Sequence, residues 1–149
     1  MIIRAARHGD HTAWLPLWHG YNAFYGREGA TALPDAITAS TWARFFDPLE
    51  PMRVFVAERD GDLVGLVHIV LHRSTTMLGP TCYLQDLFTA PAARGQGVGR
   101  ALIEAVYGFA DEQGIGRVYW MTQTTNAAGR ALYDRVAEHQ GFIIYRRVP

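Results

Sequence analysis

The clearest chemical pattern in the chain is a glycine-rich segment that opens a predicted helix. It consists of Arg94, Gly95, Gln96, Gly97, Val98 and Gly99. A predicted strand precedes it, so its free backbone N–H groups and the helix N-terminus form a site for an anion. Glycines let the backbone approach phosphate oxygens, and the arginine adds positive charge. The segment therefore predicts binding of a diphosphate, and a glycine turn before an ordinary helix is the alternative interpretation.

The spacing of the glycines excludes two common nucleotide-binding motifs. A Walker loop needs a lysine after its last glycine, and Arg100 stands there instead. A dinucleotide fingerprint would need a glycine at position 100 or 102, and these positions hold Arg100 and Leu102. The spacing Arg-x-x-Gly-x-Gly, by contrast, fits Arg94, Gly97 and Gly99.

Two further side chains are suited to proton transfer. Asp86, in a predicted strand, would accept a proton from an amine or attract an ammonium group, and a sheet-end aspartate bonded to a loop is the alternative. Alternation along the strand predicts that Asp86 shares a sheet face with Phe88. Tyr133, seven residues after Asn126, would donate its phenolic proton or else pack as a half-buried core residue.

The histidines and the single cysteine do not suggest a metal site. His68 and His72 are four residues apart in a predicted strand, which would separate them by about 13 Å. Both are interpreted as boundary residues, and His68 could also relay a proton. Cys82 has no second cysteine with which to form an internal disulfide, which favours a reducing compartment.

Composition narrows the classes of partner. Fourteen basic and fourteen acidic side chains cancel, so the basic excess of a nucleic-acid-binding protein is missing. The longest apolar run, residues 63–71, is too short to span a bilayer, and the first residues lack the apolar stretch of a signal peptide. We therefore expect a cytoplasmic protein that binds neither nucleic acid nor membrane.

Hydrophobic periodicity predicts the elements that position these groups. Predicted strands cover residues 2–6, 53–58, 63–72, 82–89, 118–122 and 142–145. Predicted helices cover residues 12–25, 40–46, 100–113 and 126–140. This order predicts a single α/β (α+β) domain over residues 1–149, with a mixed sheet of about six strands and about four helices.

Three stretches of the chain form a combination that is typical of one family. They are Leu87-Phe88-Thr89-Ala90-Pro91 before the glycine-rich segment, Asn126 before Leu132-Tyr133, and Gly141-Phe142. Together they resemble the GCN5-related N-acetyltransferase (GNAT) superfamily, and the resemblance covers nearly the whole chain. It implies a mixed, mostly antiparallel sheet that splays between its fourth and fifth strands, with acetyl-CoA in the cleft.

The resemblance also implies roles for individual residues. Acetyl-CoA would contact Leu87, Phe88, Thr89, Arg94, Gly95, Gln96, Gly97, Val98, Gly99, Arg100 and Asn126. Tyr133 would protonate the leaving thiolate, and Asp86 would act on the attacking amine. Backbone N–H groups at a strand bulge near residues 87–89 would polarise the thioester carbonyl. No metal is implied.

The acceptor is expected to be a small primary amine, such as a diamine, a polyamine or an amino acid. Residues 83–88 resemble the diamine acetyltransferase branch, in which a glutamate tends to stand where this chain has Gln85. Residues 132–137 are similar to the yeast histone and polyamine acetyltransferase branch. The predicted substrate contacts are Tyr21, Tyr25, Trp42 and Gln85, although Tyr21 and Tyr25 belong to an aromatic helix face that mainly predicts core packing.

Two other functions remain open at this stage. One is a non-catalytic acyl-CoA-binding regulatory module, and the other is acetylation of lysine in proteins or peptides. A homodimer is also expected, because related enzymes commonly pair through C-terminal strands and residues 142–145 are apolar.

Overall fold

The structure, a computed structural model, describes all 149 residues and is organised around a five-stranded sheet. The strands are β1 (Ile2–Ala5), β2 (Met52–Arg59), β3 (Asp62–His72), β4 (Thr81–Thr89) and β5 (Val118–Tyr119). They lie in chain order; the first four are antiparallel, and β5 runs parallel to β4. This mixed, mostly antiparallel sheet confirms the predicted fold class.

Four α-helices cover the two faces of the sheet. They are α1 (His11–Phe24), α2 (Asp35–Arg44), α3 (Val98–Glu112) and α4 (Ala127–Val136). The first two pack on one face, around the buried Trp14, and the last two pack on the other, around Leu102 and Val106. No helix has the length and hydropathy needed to cross a bilayer.

Strand alternation distributes side chains between the two faces. In β3, Leu66 and His68 face α1, whereas Val67 and Ile69 face α3. Both faces are therefore covered by helices, which explains why the central strands are nearly continuously apolar in sequence.

Several helix boundaries differ from the predicted ones. Helix α1 begins at His11 rather than residue 12, so Pro16 lies within the helix and leaves the Thr12 carbonyl without its usual N–H donor. Helix α2 begins at Asp35, five residues earlier than predicted, directly after Pro34. Helix α3 includes Val98 and Gly99, and α4 ends at residue 136 instead of 140.

The predicted sixth strand, residues 142–145, does not form. Residues 137–149 contain no helix or strand, and Phe142, Ile143, Ile144 and Tyr145 are 66–89% exposed. An apolar, β-branched stretch needs a neighbouring strand to supply hydrogen bonds, and none lies beside it within this chain. Strand β5 is also shorter than predicted, with two residues instead of five.

Two irregularities of β4 shape the centre of the molecule. In the pairing with β3, Ile69 lies opposite Leu84 while His68 lies opposite Asp86, so Gln85 is an extra, bulged residue. On the other side, β5 pairs only with Cys82 and Tyr83. Beyond residue 83 the two strands separate, which confirms the predicted splay between the fourth and fifth strands.

Candidate active site

The Asp86 carboxylate belongs to a buried chain of hydrogen bonds. Asp86 Oδ2 lies 2.8 Å from His68 Nδ1, and Trp14 Nε1 lies 3.0 Å from His68 Nε2. An indole N–H can only donate, so His68 Nε2 is the acceptor and Nδ1 carries the hydrogen. His68 is therefore neutral and donates its hydrogen to Asp86.

This arrangement defines what His68 can do. Its side chain is only 2% exposed, so the interpretation of His68 as a boundary residue is wrong. Both ring nitrogens already have partners, and a proton could reach Nε2 only if the bond to Trp14 broke. His68 orients Asp86 instead of passing a proton onward. The sequence signal was its position between the buried residues Val67 and Ile69.

The negative charge of Asp86 has no cationic partner in the protein. The residue is 8% exposed, and its only ion-pair contact is with His68, which is neutral in this hydrogen-bond arrangement. A buried carboxylate without a counterion is costly, because protein surroundings solvate charge less well than water does. The position therefore favours a cation brought by a ligand.

Tyrosines surround Asp86 on the side of the splayed strands. Burial raises the pKa of Tyr21, and the nearby Asp86 charge raises that pKa further. The same two causes raise the pKa of Tyr83, whose ring stacks on Tyr119 with a centroid distance of 5.1 Å. The Tyr25 ring lies 5.1 Å from that of Tyr21. Tyr21 and Tyr83 therefore stay protonated at neutral pH, and together with Tyr25 they form an aromatic wall.

Tyr133 lies on α4, on the opposite side of the cleft from α1. Burial raises the pKa of its phenol, and Tyr25 raises that pKa further. Its ring meets Trp120 edge-on, with centroids 5.5 Å apart. Because a raised pKa keeps a phenol protonated, Tyr133 is a hydrogen donor over the physiological pH range.

The glycine-rich segment presents a row of unpaired donors. Gly95 and Gly97 have φ values of 73° and 82°, in the left-handed region that favours glycine, and Gly97 caps α3. The six backbone N–H groups of residues 95–100 have no acceptor within the protein, and the first intrahelical bond is donated by Ala101 to Gly97 O, at 3.0 Å. Such a row of N–H groups at a helix N-terminus suits an anion.

Side chains around this segment fix its position on the sheet. Arg94 Nε donates to the Thr89 carbonyl at 3.2 Å, and its guanidinium lies 5.6 Å from the Phe88 ring centroid. Gln96 accepts a hydrogen bond from Arg59 and donates to the Ala92 carbonyl. The segment is thus held against the end of β4, with its backbone donors free.

Three other predicted acetyl-CoA contacts, at or near the segment, have different surroundings. Arg100 pairs with Glu104 on the exposed face of α3, at 2.7 Å. Leu87 packs against the core beneath α3. A Cβ at Gly99 would lie 3.2 Å from Leu132 Cδ2, so this glycine permits the close approach of α3 and α4.

Asn126 caps α4. Its Oδ1 accepts a hydrogen bond from Gly129 N at 3.2 Å, and its Nδ2 donates to Thr122 Oγ1 at 3.0 Å. Binding of a cofactor by Asn126 stays a prediction, and the structure assigns its amide a role in starting the helix.

The predicted substrate contacts divide into two groups. Tyr21 and Tyr25 lie near Asp86, and the bulged, exposed Gln85 precedes Asp86 in β4. Trp42 instead packs on Trp14 and Phe46, with centroid distances of 4.8 and 4.9 Å. No aromatic contact joins Trp42 to Tyr21 or Tyr25, so the structure does not bring it to the same site.

A cavity of about 370 Å³ lies between α1 and the end of β4. Its lining residues are Pro16, Leu17, Gly20, Phe24, Phe88, Ala90, Pro91 and Arg94. The cavity therefore borders the glycine-rich segment rather than Asp86. The structure contains no group of three or more histidine, cysteine, aspartate or glutamate side chains arranged to hold a metal ion.

Comparison with known proteins identifies close similarities. Residues 14–137 match the family model of the acetyltransferase (GNAT) family. The chain is 34% identical over 149 residues to the D-amino-acid N-acetyltransferase HPA3 of Saccharomyces cerevisiae, covering 99% of this chain and 90% of that protein.

Two solved structures share the fold. One, described as a probable acetyltransferase, has a TM-score of 0.86 at 23% identity and covers 100% of this chain and 98% of its own. The other is AAC(6')-Iy in complex with the bisubstrate analog CoA-S-monomethyl-acetylneamine, with a TM-score of 0.82 at 18% identity and coverage of 99% and 97%. At these identities the likeness supports the fold alone.

Proposed function

Because the chain belongs to the acetyltransferase (GNAT) family, we propose that it transfers an acetyl group from acetyl-CoA to the primary amine of a small molecule. It is an acetyl-CoA-dependent acyltransferase, and its acceptor is what the proposal adds. The observation that carries the proposal is Asp86, a nearly buried carboxylate with no cationic partner in the protein. An acceptor with an ammonium group would supply the missing charge.

The glycine-rich segment fits the diphosphate of acetyl-CoA. The six unpaired backbone N–H groups of residues 95–100 would donate to its oxygens, and Arg94 would add a charged donor. Beside them, β4 has no strand neighbour on its β5 side beyond Tyr83, so residues 87–89 and Asn126 would contact the pantetheine arm. When bound, acetyl-CoA supplies the acetyl group as a reactive thioester.

Asp86 would both attract the amine and remove its proton. An ammonium ion is not nucleophilic, so a base must accept a proton before attack. His68 holds one carboxylate oxygen by hydrogen bonding, which keeps the side chain in a single orientation. The other oxygen, Oδ1, makes no contact with a basic group and would face the substrate.

Tyr133 would supply the proton that the leaving thiolate needs. Its raised pKa keeps the hydroxyl protonated at neutral pH. An ammonium that becomes an amide loses two protons: Asp86 would accept the first before attack, and the second, lost by the nitrogen after attack, would replace the proton that Tyr133 gives to the thiolate. Asp86 would then pass its proton to solvent, so that one proton is released per turnover. Backbone N–H groups of residues 87–89, at the open edge of β4, would stabilise the negative charge on the carbonyl oxygen.

The same proposal includes a homodimer and a cytoplasmic, reducing location. The exposed apolar residues 142–145 support the dimer, because apolar surface of this kind is covered in most stable proteins. The free, buried thiol of Cys82 is compatible with a reducing compartment.

The direct test measures release of coenzyme A with a panel of amines, amino acids, aminoglycosides and alcohols. The chain contains no lysine, so self-acetylation of lysine cannot add to the background. We expect turnover with one class of small primary amine. Tight acetyl-CoA binding without turnover on any amine would indicate a binding module, and turnover only on lysine-containing peptides would indicate a protein acetyltransferase.

A further inference from the structure

Arg27, directly after α1, has a fixed position but no ionic partner. Its Nε donates to Asn22 Oδ1 at 2.7 Å, and its backbone N–H donates to the Asn22 carbonyl at 2.9 Å. Asn22 is itself buried, with 4% exposure, and its Nδ2 donates to the Trp18 carbonyl. The Arg27 side chain is therefore held by a residue that is anchored within α1.

The guanidinium group of Arg27 also lies over two aromatic rings. Arg27 Cζ lies 5.8 Å from the ring centroid of Tyr21 and 5.3 Å from that of Tyr25. Contacts of this kind orient the planar guanidinium group. Neither Nη1 nor Nη2 makes a hydrogen bond within the protein, and no carboxylate lies within ion-pair distance. Glu28 and Asp35 line a second cavity together with Arg27, on the side of α1 that carries His19 and Ala23, but neither pairs with it.

Two arginines near the ends of strands are also held by hydrogen bonds or ion pairs. Arg4 pairs with Asp10 and Glu58, and Arg94 donates to the Thr89 carbonyl. Arg4 uses both terminal nitrogens in its ion pairs, whereas Arg27, like Arg94, is held through Nε alone and keeps both terminal nitrogens available. A guanidinium in that state is suited to bind a carboxylate through two parallel hydrogen bonds.

Tyr21 connects Arg27 with Asp86. The Arg27 guanidinium lies 5.8 Å from the Tyr21 ring centroid, and Tyr21 stacks on Trp18 with centroids 5.7 Å apart. The Trp18 ring lies 5.3 Å from that of His68, whose Nδ1 is 2.8 Å from Asp86 Oδ2, and the Asp86 charge raises the pKa of Tyr21. One unpaired positive group and one unpaired negative group therefore flank a single side chain. A ligand that carries both an ammonium and a carboxylate would satisfy both groups at once.

We propose that the acceptor is an α-amino acid, whose amine is bound by Asp86 and whose carboxylate is bound by Arg27. This inference rests on the proposed function and specifies its substrate. A diamine or polyamine would bring a second ammonium toward Arg27, and the two positive charges would repel. The aromatic side chains of Tyr21, Tyr25 and Tyr83 around the site favour an amino acid with an apolar or aromatic side chain.

The test compares substrates that differ only in the carboxylate. Phenylalanine, its methyl ester and phenethylamine share the amine and the ring, and putrescine represents the diamines; both enantiomers of the amino acid are assayed. For the parent enzyme we expect kcat/KM to be highest with one enantiomer of phenylalanine. In Arg27→Gln that value should fall about 10- to 100-fold, mainly through KM, because a charge-assisted carboxylate contact is lost.

Two controls separate this role from a structural one. Arg27→Gln should leave kcat/KM for phenethylamine and the methyl ester within about twofold, and its affinity for acetyl-CoA unchanged. Arg27→Lys, which keeps the charge without the two-nitrogen fork, should recover part of the activity on phenylalanine. Equal losses with all three substrates would overturn the role of Arg27.

The substrate panel also distinguishes failure of the inference from failure of the proposed function. A parent enzyme that acetylates putrescine or phenethylamine better than any amino acid would overturn the inference and leave amine acetylation intact. A parent enzyme that binds acetyl-CoA but acetylates no amine would overturn both.

Discussion

His68 Nδ1 and Asp86 Oδ2 face each other across strands β3 and β4 at 2.8 Å, directly beside the bulged residue Gln85. The bulge makes this pair possible. Leu84 faces α3, and in a regular strand Asp86, two residues later, would face α3 as well. The extra residue reverses the alternation, so that Asp86 and Phe88 face α1 together with His68.

Loss of the His68 hydrogen bond should impair the amine reaction selectively. In His68→Leu, Asp86 loses its orienting donor, and we expect kcat/KM for the amine to fall roughly 10- to 100-fold. His68→Asn, which offers an N–H close to the position of Nδ1, should restore part of that loss. Steady-state kinetics with both variants tests this, and equal rates for His68→Leu and the parent would show that His68 only fills space.

Neutralising Asp86 should weaken binding and reaction of the amine and leave acetyl-CoA binding nearly unchanged. Asp86→Asn keeps the size of the side chain but removes its charge and its basicity, so KM for cationic amines should rise and kcat/KM should fall. The dissociation constant of acetyl-CoA, measured by calorimetry, should change little. If Asp86→Asn acetylates every amine as fast as the parent does, the assignment of Asp86 is wrong.

Removal of the Tyr133 hydroxyl should slow chemistry more than it affects binding. Tyr133→Phe should lower kcat by about 10²–10⁴-fold, the usual contribution of a general acid, with acetyl-CoA affinity nearly unchanged. Tyr145→Phe, at an exposed position, is the matched control. The comparison requires conditions in which chemistry limits turnover, and unchanged turnover under those conditions would make Tyr133 a packing residue.

The raised pKa of Tyr133 also predicts a pH dependence. A phenol is a proton donor only below its pKa, and burial moves that pKa above the ordinary value of 10.0. Activity that depends on Tyr133 should therefore persist through neutral and mildly alkaline pH and fall only above about 10. A pH–rate profile checks this, and a Tyr133-dependent loss of kcat near pH 8 would contradict it.

Charge reversal beside the glycine-rich segment should weaken the binding of acetyl-CoA. Arg94→Glu would place a negative charge next to the free N–H groups of residues 95–100, and we expect affinity to fall at least tenfold. Arg73→Glu, in an exposed loop, is a control of equal charge change. The measurement is the rise in melting temperature with acetyl-CoA, and an equal rise in both variants would place the diphosphate elsewhere.

The exposed C-terminal residues should mediate association. We expect the parent protein to be a dimer in light scattering at micromolar concentration, and Ile144→Asp to be a monomer. Leu78→Asp, at a loop residue that is 97% exposed, should leave the dimer intact. A parent protein that is monomeric throughout this range would reject the dimer.

The sequence predicted the parts of the fold that depend on local pattern. Periodicity located all four helices and the first five strands, and the glycines at 95 and 97 do adopt the positive φ values that the anion site needs. The shared face of Asp86 and Phe88 was also predicted correctly, because both follow the bulge and ordinary alternation holds between them.

What the sequence could not reveal depends on contacts between distant residues. No local signal marks Gln85 as bulged, and His68 is 18 residues from Asp86, so their hydrogen bond follows only from the strand register. The strand predicted at residues 142–145 failed for the opposite reason: its pattern is that of a strand, but a strand also needs a partner.

The short pairing of β5 makes the two walls of the cleft unequal in local stability. Strand β5 is joined to the sheet at only two positions, whereas β3 pairs along most of its length with both neighbours. Local opening should therefore begin at β5 and α4, and their amide hydrogens should exchange with solvent sooner than those of β3. A ligand that bridges the cleft would slow this exchange, so protection at residues 118–136 should report occupancy of the site even in a catalytically inactive variant.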